Sequence, residues 1–506
     1  MMHSRNIRRA AVAATIGLAA GLAPPALADE GTDTAALRKA VSATNIMSHL
    51  AALQAVAAGN GGNRAAGTSG YEASARYIEG KLTRAGYEPV RQPFSYDRYD
   101  FVSASLDRLS PTPRRYVYGA GDGFLDMSYS GPGNVTAAVT AVDVNLAGDR
   151  ATTSGCEMAD FTGFEAGNIA LIQRGTCTLR VKADNAAAAG AAGVIVFNQG
   201  NAVPGEDRLG LFGGTLGLPQ APIPVLGTGF EAGAELAGLG HAALRLAVDA
   251  SVTTIDSFNI LADTCGRADR TVVVGAHLDS VGEGPGINDN GTGTAAILET
   301  ARQLKKTRTA NRVRFAFWGG EEDGLIGSEY YVSKLTPRQI EDHAVNLNFD
   351  MVGSPNHVRF VYDGDGSASG ESGPTGSAQV EQVFLKYFKS EGLPVVPAAF
   401  DGRSDYFGFL EKGIPTGGLF TGADGLKTEE EAEIFGGTAN EPYDSCYHQA
   451  CDTLENVNPA VLEEMADAIA HATLTFGMTT SAISGTGKGK ASGKAEREFR
   501  GHQRLR

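Results

Sequence analysis

The chain has 506 residues, 43 Lys and Arg against 58 Asp and Glu, and a formal net charge of −15. That acidic balance argues against nucleic acid as a partner, because phosphate binding needs clustered Lys and Arg. The length allows two or three domains at about 150 residues each, and five cysteines leave room for two disulfide bridges and one thiol.

Residues 1–28 read as an export signal. Arg5, Arg8 and Arg9 precede an apolar run over 10–22, and Ala26-Leu27-Ala28 supplies a small-residue cleavage site. The run is shorter than the ~20 residues that span a bilayer, and no later segment is long enough, so a secreted chain without stable membrane insertion is expected. The first helix is expected after the loop GGNRAAGTSG: Ser69 and Glu72 fit a capping box, and Ala75, Ile78, Leu82 and Ala85 follow at helical spacing until Gly86. From about 135 to 248 short β-rich runs, NIALIQ and GVIVFNQ, flank the alanine-rich KADNAAAAGAAG, which reads as a short helix.

Beyond about 255 strands and helices alternate. Strands are predicted at 271–276, 312–318, 345–349, 358–362 and 416–420, and helices at 292–304, 378–390, 404–411 and 459–476. Such alternation predicts an α/β, doubly wound, mainly parallel sheet with helices on both faces, and ligands bind such sheets at the carboxyl ends of the strands. At the C-terminus Lys488, Lys490, Lys494, Arg497, Arg500, Arg504 and Arg506 outnumber Glu496 and Glu498. That composition cannot bury a core, so 483–506 reads as a basic, disordered tail.

Cys446 and Cys451 flank four residues and are expected to close a tight loop. Cys156 and Cys177 are the other expected pair, because both fall in the β-rich segment, which leaves Cys265 buried and unpaired.

Five residues stand out as metal ligands: His277 in VVVGAHLDS, Asp289 in GINDNGTGTA, Glu322 in FAFWGGEEDG, Asp350 in NLNFDMVGS and His448 in CYHQAC. Four fall where a strand should end, and His448 lies in the short cysteine loop. Two imidazoles and three carboxylates are the mixed N/O set that two zinc ions sharing one bridging carboxylate need. Asp289 is assigned as the bridge, with His277 and Asp350 on one ion and Glu322 and His448 on the other; helix capping by Asp289 or Asn290 is a compatible role. Asp279 is expected to accept a hydrogen bond from the His277 ring and fix its tautomer. Glu321, beside Glu322, is left to move a proton between water and the leaving amine.

The stretch NIALIQRGTC with KADNAAAAGAAGVIVFN resembles the protease-associated (PA) domain, a small module inserted in many secreted peptidases. AHLDSV, GPGINDNGTGTA, FWGGEEDGLIGSEYY, NFDMVGS, FDGRSDY and CYHQACDT resemble, in order, the M28 family of zinc peptidases, especially its secreted streptomycete aminopeptidases. GNRAAGTSGYEAS matches the family's N-terminal part. The resemblance covers about 255–478 and divides the chain into a signal (1–28), the N-terminal part of a peptidase domain (29–130), a small β-rich inserted PA domain (131–250), the main part of the peptidase domain (251–482) and the tail.

It implies removal of one residue at a time from peptides with a free N-terminus, large apolar residues such as Leu being preferred. Glu321 would be the general base, Tyr447 the donor to the developing oxyanion, Glu321 and Asp350 the carboxylates that hold the substrate amine, and Arg403 a substrate contact. It also implies a cis peptide between Asp289 and Asn290, two Zn2+ per chain, and calcium as a further ion with no site assigned. A monomer is expected.

Three other readings share these residues. A carboxypeptidase or dipeptidase would use Arg403 for a substrate carboxylate. A glutaminyl cyclase would use one zinc with fewer ligands, and a binding module without catalysis would lack ligands.

Overall fold

A computed structural model describes residues 32–201 and 207–484. The expected export signal lies outside the described residues, as does the tail apart from its first two positions.

At the centre of the sheet the strand Arg267–His277 pairs in parallel with Asn311–Trp318 on one side and His343–Phe349 on the other, and the latter pairs in parallel with Thr416–Phe420. Antiparallel partners flank this block: Ala243–Asp263 joins Asn311–Trp318, and Phe360–Tyr362 joins Thr416–Phe420. The central strands are buried on both faces, so their apolar runs are continuous rather than alternating. Val272, Val274, Phe315, Phe317, Val345 and Leu347 face one core, covered by the helices Gly293–Leu304, Ser377–Ser390 and Pro459–Met478. Val273, Ala316 and Trp318 point the other way, onto Tyr331, Val332 and Phe409. Each fully buried side chain of this kind contributes roughly 1.5–3 kcal/mol.

The helix Ser69–Ala85 ends at Gly86, which turns left-handed at φ 94°. Its cap differs from expectation. Thr68, not Ser69, is the extended residue before the first turn, and its hydroxyl accepts from the Tyr71 amide at 3.3 Å. Glu72 is drawn instead into a two-point pairing with Arg91. Two earlier helices, Ala35–Ala40 and Ala43–Ala58, pack on this core without having been expected; in the second the exposed positions include Ala51, Ala55 and Ala58, so the contrast with its buried Ile46, Leu50 and Leu53 is faint.

A long two-stranded ribbon links this sheet to the β-rich unit expected at 131–250. Val90–Ser110 runs antiparallel to Ala243–Asp263 from the Val90–Leu261 pair to the Ser110–Ala243 pair. At one end Ala243–Asp263 also pairs with Gly133–Val142 of that unit, whose strands Ile169–Gln173, Gly193–Phe197 and Val225–Thr228 form its own parallel layer. The expected boundary at 250/251 therefore falls inside one unbroken strand.

Both expected disulfides are present, Cys156–Cys177 with Cα atoms 5.8 Å apart and Cys446–Cys451 at 5.3 Å. Cys265, expected to be buried, is exposed. It sits in the tight connection between Ala243–Asp263 and Arg267–His277.

Candidate functional site

The hydrophobic strand Arg267–His277 ends on His277, Asp350 directly follows His343–Phe349, and Glu321 and Glu322 follow Asn311–Trp318 after two glycines. These strands are parallel and adjacent, so their carboxyl ends bring the three groups to one rim. Asp289 arrives differently, from a wide turn, Ile287–Thr292, that opens the helix Gly293–Leu304, with Asp289 and Asn290 in non-helical dihedrals. The peptide between them is cis. His448 comes from the loop closed by Cys446–Cys451.

His277 Nε2 lies 3.3 Å from Asp289 Oδ1 and 3.3 Å from Asp350 Oδ1. His448 Nε2 lies 3.1 Å from Asp289 Oδ2 and 2.9 Å from Glu322 Oε2. Two groups able to hold an ion result, His277 with Asp289 and Asp350, and His448 with Asp289 and Glu322. Asp289 belongs to both, one oxygen turned to each imidazole. Glu321 also comes into reach of His277 and Glu322, but its Oε2 stands at 3.9 Å from His277 Nε2, farther than Asp289 or Asp350.

The donor set fits cations. His277 Nε2, Asp350 Oδ1 and both Glu322 oxygens are buried and make no hydrogen bond among the described residues, although they face one another closely. Burial pushes Glu322 up to about 7, with Asp289 adding to the rise, and Asp279 up to about 6. Glu321 is pushed well above the carboxylate range by burial and by Glu322 and Asp350. Burial works against a charged His448, yet Glu322 and Asp289 carry it up to about 10. So many buried acids around two imidazoles call for added positive charge.

Supporting contacts lock this geometry. Ser404 Oγ donates to Asp350 Oδ2 at 2.6 Å. The Asp452 carboxylate accepts from the amides of Asn288 at 2.8 Å and Asp289 at 3.0 Å, so the residue that follows the short disulfide ties the His448 loop to the Asp289 loop. The Asn290 side chain donates to Phe349 O and accepts from Gly293 N, tying the turn to the end of His343–Phe349 and to the start of the helix. Tyr96 on the ribbon donates to Asp323, next to Glu322. Ser404 and Asp452 were not singled out from sequence; their signal was adjacency to site motifs, in GRSDY and CYHQACDT.

Asp279 does not take the expected part. The His277 ring nitrogen Nδ1 lies 3.2 Å from the Asp279 backbone carbonyl and 3.8 Å from its carboxylate. The carboxylate instead accepts from the amides of Glu321 and Glu322, each at 3.3 Å. The backbone turns after His277, which puts the carbonyl nearer the ring and frees the carboxylate to orient the glutamate pair.

Tyr447 is buried and stacks on His448 with ring centroids 3.8 Å apart. Burial, with Asp289 and Glu322 adding, holds its hydroxyl well above the usual range, so it stays a proton donor. Arg403 is half-buried and donates to Asp424 Oδ1 at 3.0 Å. A separate group, Asp363, Asp365 and Glu381, could also hold a cation. Its acids already accept backbone amides, Asp363 from Ala368 and Ser369 and Glu381 from Gly364 and Asp365, which is an ordinary turn, and calcium is assigned no site there.

A mainly parallel sheet with a histidine and carboxylate cluster at the carboxyl ends of its strands defines the class, an α/β metal-dependent hydrolase. Residues 259–473 match the sequence profile described as Peptidase family M28, and residues 135–236 match the PA domain. An aminopeptidase of Pseudomonas aeruginosa is 46% identical over 450 residues, covering 88% of this chain and 83% of that protein. Leucine aminopeptidase 2 of Trichophyton equinum is 38% identical over 419 residues, covering 82% and 80%. Among solved structures, an aminopeptidase from Aneurinibacillus sp. strain AM-1 superposes with a TM-score of 0.66 at 26% identity, over 87% of this chain and 95% of that one. A zinc aminopeptidase from Bacillus subtilis superposes with a TM-score of 0.55 at 27% identity, over 85% and 94%. The chain belongs to peptidase family M28 and is a metallo-aminopeptidase with an inserted PA domain.

Proposed function

We propose that the protein is a secreted, monomeric aminopeptidase that holds two zinc ions and prefers large apolar N-terminal residues such as Leu. The domain division given above, 29–130, 131–250 and 251–482, belongs to the same reading. The observation that carries it is Asp289, whose Oδ1 faces His277 and whose Oδ2 faces His448. His277 and Asp350 would hold one ion, His448 and Glu322 the other, and Asp289 both. Bound there, zinc would supply Lewis acidity to the peptide carbonyl and lower the pKa of the attacking water.

The chain's own groups do the rest. The substrate enters amino-end first, its free amine held by the carboxylates of Glu321 and Asp350. Glu321 takes a proton from the attacking water and passes it to the departing amide nitrogen, which balances the hydrolysis: one amino acid and one shortened peptide leave. The Tyr447 hydroxyl donates to the oxygen that gains negative charge, and Arg403, steadied by Asp424, contacts the substrate. The name of the Trichophyton relative supports the Leu preference. Export is supported by the two disulfides; among the described residues no helix is long and apolar enough to cross a membrane.

Hydrolysis of leucine 4-nitroanilide, measured with zinc content before and after dialysis against a chelator, tests the reading. Two zinc ions per chain, loss of activity on stripping and recovery on zinc addition are expected; full activity in chelated, zinc-free protein would sink it. A panel of amino-acid nitroanilides checks the side-chain preference, and a peptide with a blocked amine separates aminopeptidase from carboxypeptidase action. Ser404→Ala, which removes the donor to Asp350, is expected to weaken zinc binding roughly 10–100-fold, read by chelator competition; unchanged zinc retention would rule out a supporting role for Ser404.

A further inference from the structure

The loop GNRAAGTSG has no part in the chemistry above, yet it contains Arg64, a fully buried arginine. Burying a guanidinium is costly unless its donors and charge are met. Here they are. Nη1 donates to Leu278 O, Nε to Pro285 O at 2.8 Å and Nη2 to Gly286 O at 2.6 Å. The Arg64 amide donates to Ser280 Oγ at 2.9 Å, and that hydroxyl reaches the carbonyls of Val281 and Gly284. The acids Asp279, Asp452, Asp289 and Glu322 surround the guanidinium electrostatically.

The three carbonyls belong to two different places in the chain. Leu278 directly follows His277, while Pro285 and Gly286 lead into Asp289. A single planar fork therefore closes the loop between the imidazole and the carboxylate that faces it. Asp452 grips the same segment through the amides of Asn288 and Asp289, so the Asp289 turn is held by a cation and an anion that lie outside the ligand set.

We propose that Arg64 is a positioning residue for the metal centre: by bridging Leu278 to Pro285 and Gly286 it fixes the His277 to Asp289 spacing, and it acts on zinc affinity rather than on substrate. The assignment rests on the two-zinc reading given above. Lysine keeps the charge but, as a point donor on a flexible stem, cannot span three carbonyls in a fixed plane. Arg64→Lys therefore separates geometry from charge.

The full-length protein and Arg64→Lys are to be compared in three measurements: zinc retained against graded dipicolinate by elemental analysis, kcat and KM on leucine 4-nitroanilide at saturating zinc, and melting temperature with and without zinc. Zinc retention is expected to weaken roughly 10–100-fold, with KM within two-fold of wild type and a smaller gain in melting temperature on zinc addition. Zinc retention equal to wild type, with melting temperatures lowered equally in the presence and absence of zinc, would overturn the proposal and leave Arg64 a purely structural residue. Should Arg64→Lys fail to fold, Ser280→Ala removes the hydroxyl that accepts from the Arg64 amide and reaches the carbonyls of Val281 and Gly284; at least a three-fold loss of zinc retention supports the proposal and a smaller loss or none overturns it. A wild-type chain that binds no zinc would sink the two-zinc reading and this assignment with it. Failure of the Arg64 assignment alone is recognised by wild-type and variant chains that hold zinc alike.

Discussion

Glu321→Gln is expected to lower kcat for leucine 4-nitroanilide by roughly 10²–10⁴-fold, the range of a lost general base, with zinc content unchanged. The side chain keeps its size and loses only the ability to take a proton. Its place in the fold supports that role: Glu321 is buried and lies within ion-holding reach of His277 and Glu322. Its amide is held by Asp279 at 3.3 Å, so the carboxyl is presented from a fixed backbone. Because Glu321 Oε2 is farther from His277 Nε2 than either Asp289 or Asp350, its amide variant should leave both ions bound. Steady-state kinetics paired with elemental analysis provide the check. A variant that keeps zinc and turns over within ten-fold of wild type would remove Glu321 from the mechanism, and one that loses zinc would make it a ligand.

Asp289→Ala is expected to have the largest effect on metal content. The other four proposed ligands each serve one ion, whereas Asp289 presents an oxygen to each imidazole, 3.3 Å from His277 and 3.1 Å from His448. Removing it should drop zinc below one ion per chain after dialysis and reduce affinity by more than the roughly 10–100-fold typical of outer-shell changes, with activity lost in proportion. His448→Ala provides the comparison, since it should cost one ion and leave His277 and Asp350 with theirs. Zinc counted per chain, alongside circular dichroism to show that both variants fold, separates the outcomes. Two ions bound to Asp289→Ala with wild-type resistance to chelation would end the bridging assignment.

The peptidase half was legible because its code is local. Continuous apolar runs such as Val272-Val273-Val274 mark strands covered on both faces, and the polar residues that interrupt them, His277 and Asp350, stand at the carboxyl ends where an α/β sheet opens. The observed strands Arg267–His277 and Asn311–Trp318 extend the expected ranges 271–276 and 312–318 by one to four residues at their ends, while Thr416–Phe420 coincides with its expected range. The helix Ala43–Ala58 was hidden because its residues are apolar around much of its circumference and show weak periodicity. Cys265 was misplaced because burial of a thiol depends on which elements lie over a turn, and nothing within the turn encodes that. Asp279 was given the right neighbour through the wrong atom: residues two apart can touch through a carbonyl as readily as through a side chain.

Arg64, Ser404 and Asp452 show why the support of the site was out of reach. Arg64 touches Leu278, more than two hundred positions away, and Asp452 touches Asn288 across 164; no spacing rule links such pairs. Sequence by itself determined which side chains could bind metal, the alternation of strand and helix, and the tight Cys446–Cys451 loop, because periodicity, composition and short loop closure act over a few residues. Tertiary structure alone decided that Asp289 turns one oxygen to each histidine, that the Asp279 carboxylate serves the glutamate pair, and that the ribbon makes the inserted unit continuous with the peptidase sheet. Those outcomes depend on how distant segments pack and saturate one another's buried donors and acceptors, a condition met only once the whole chain has closed around them.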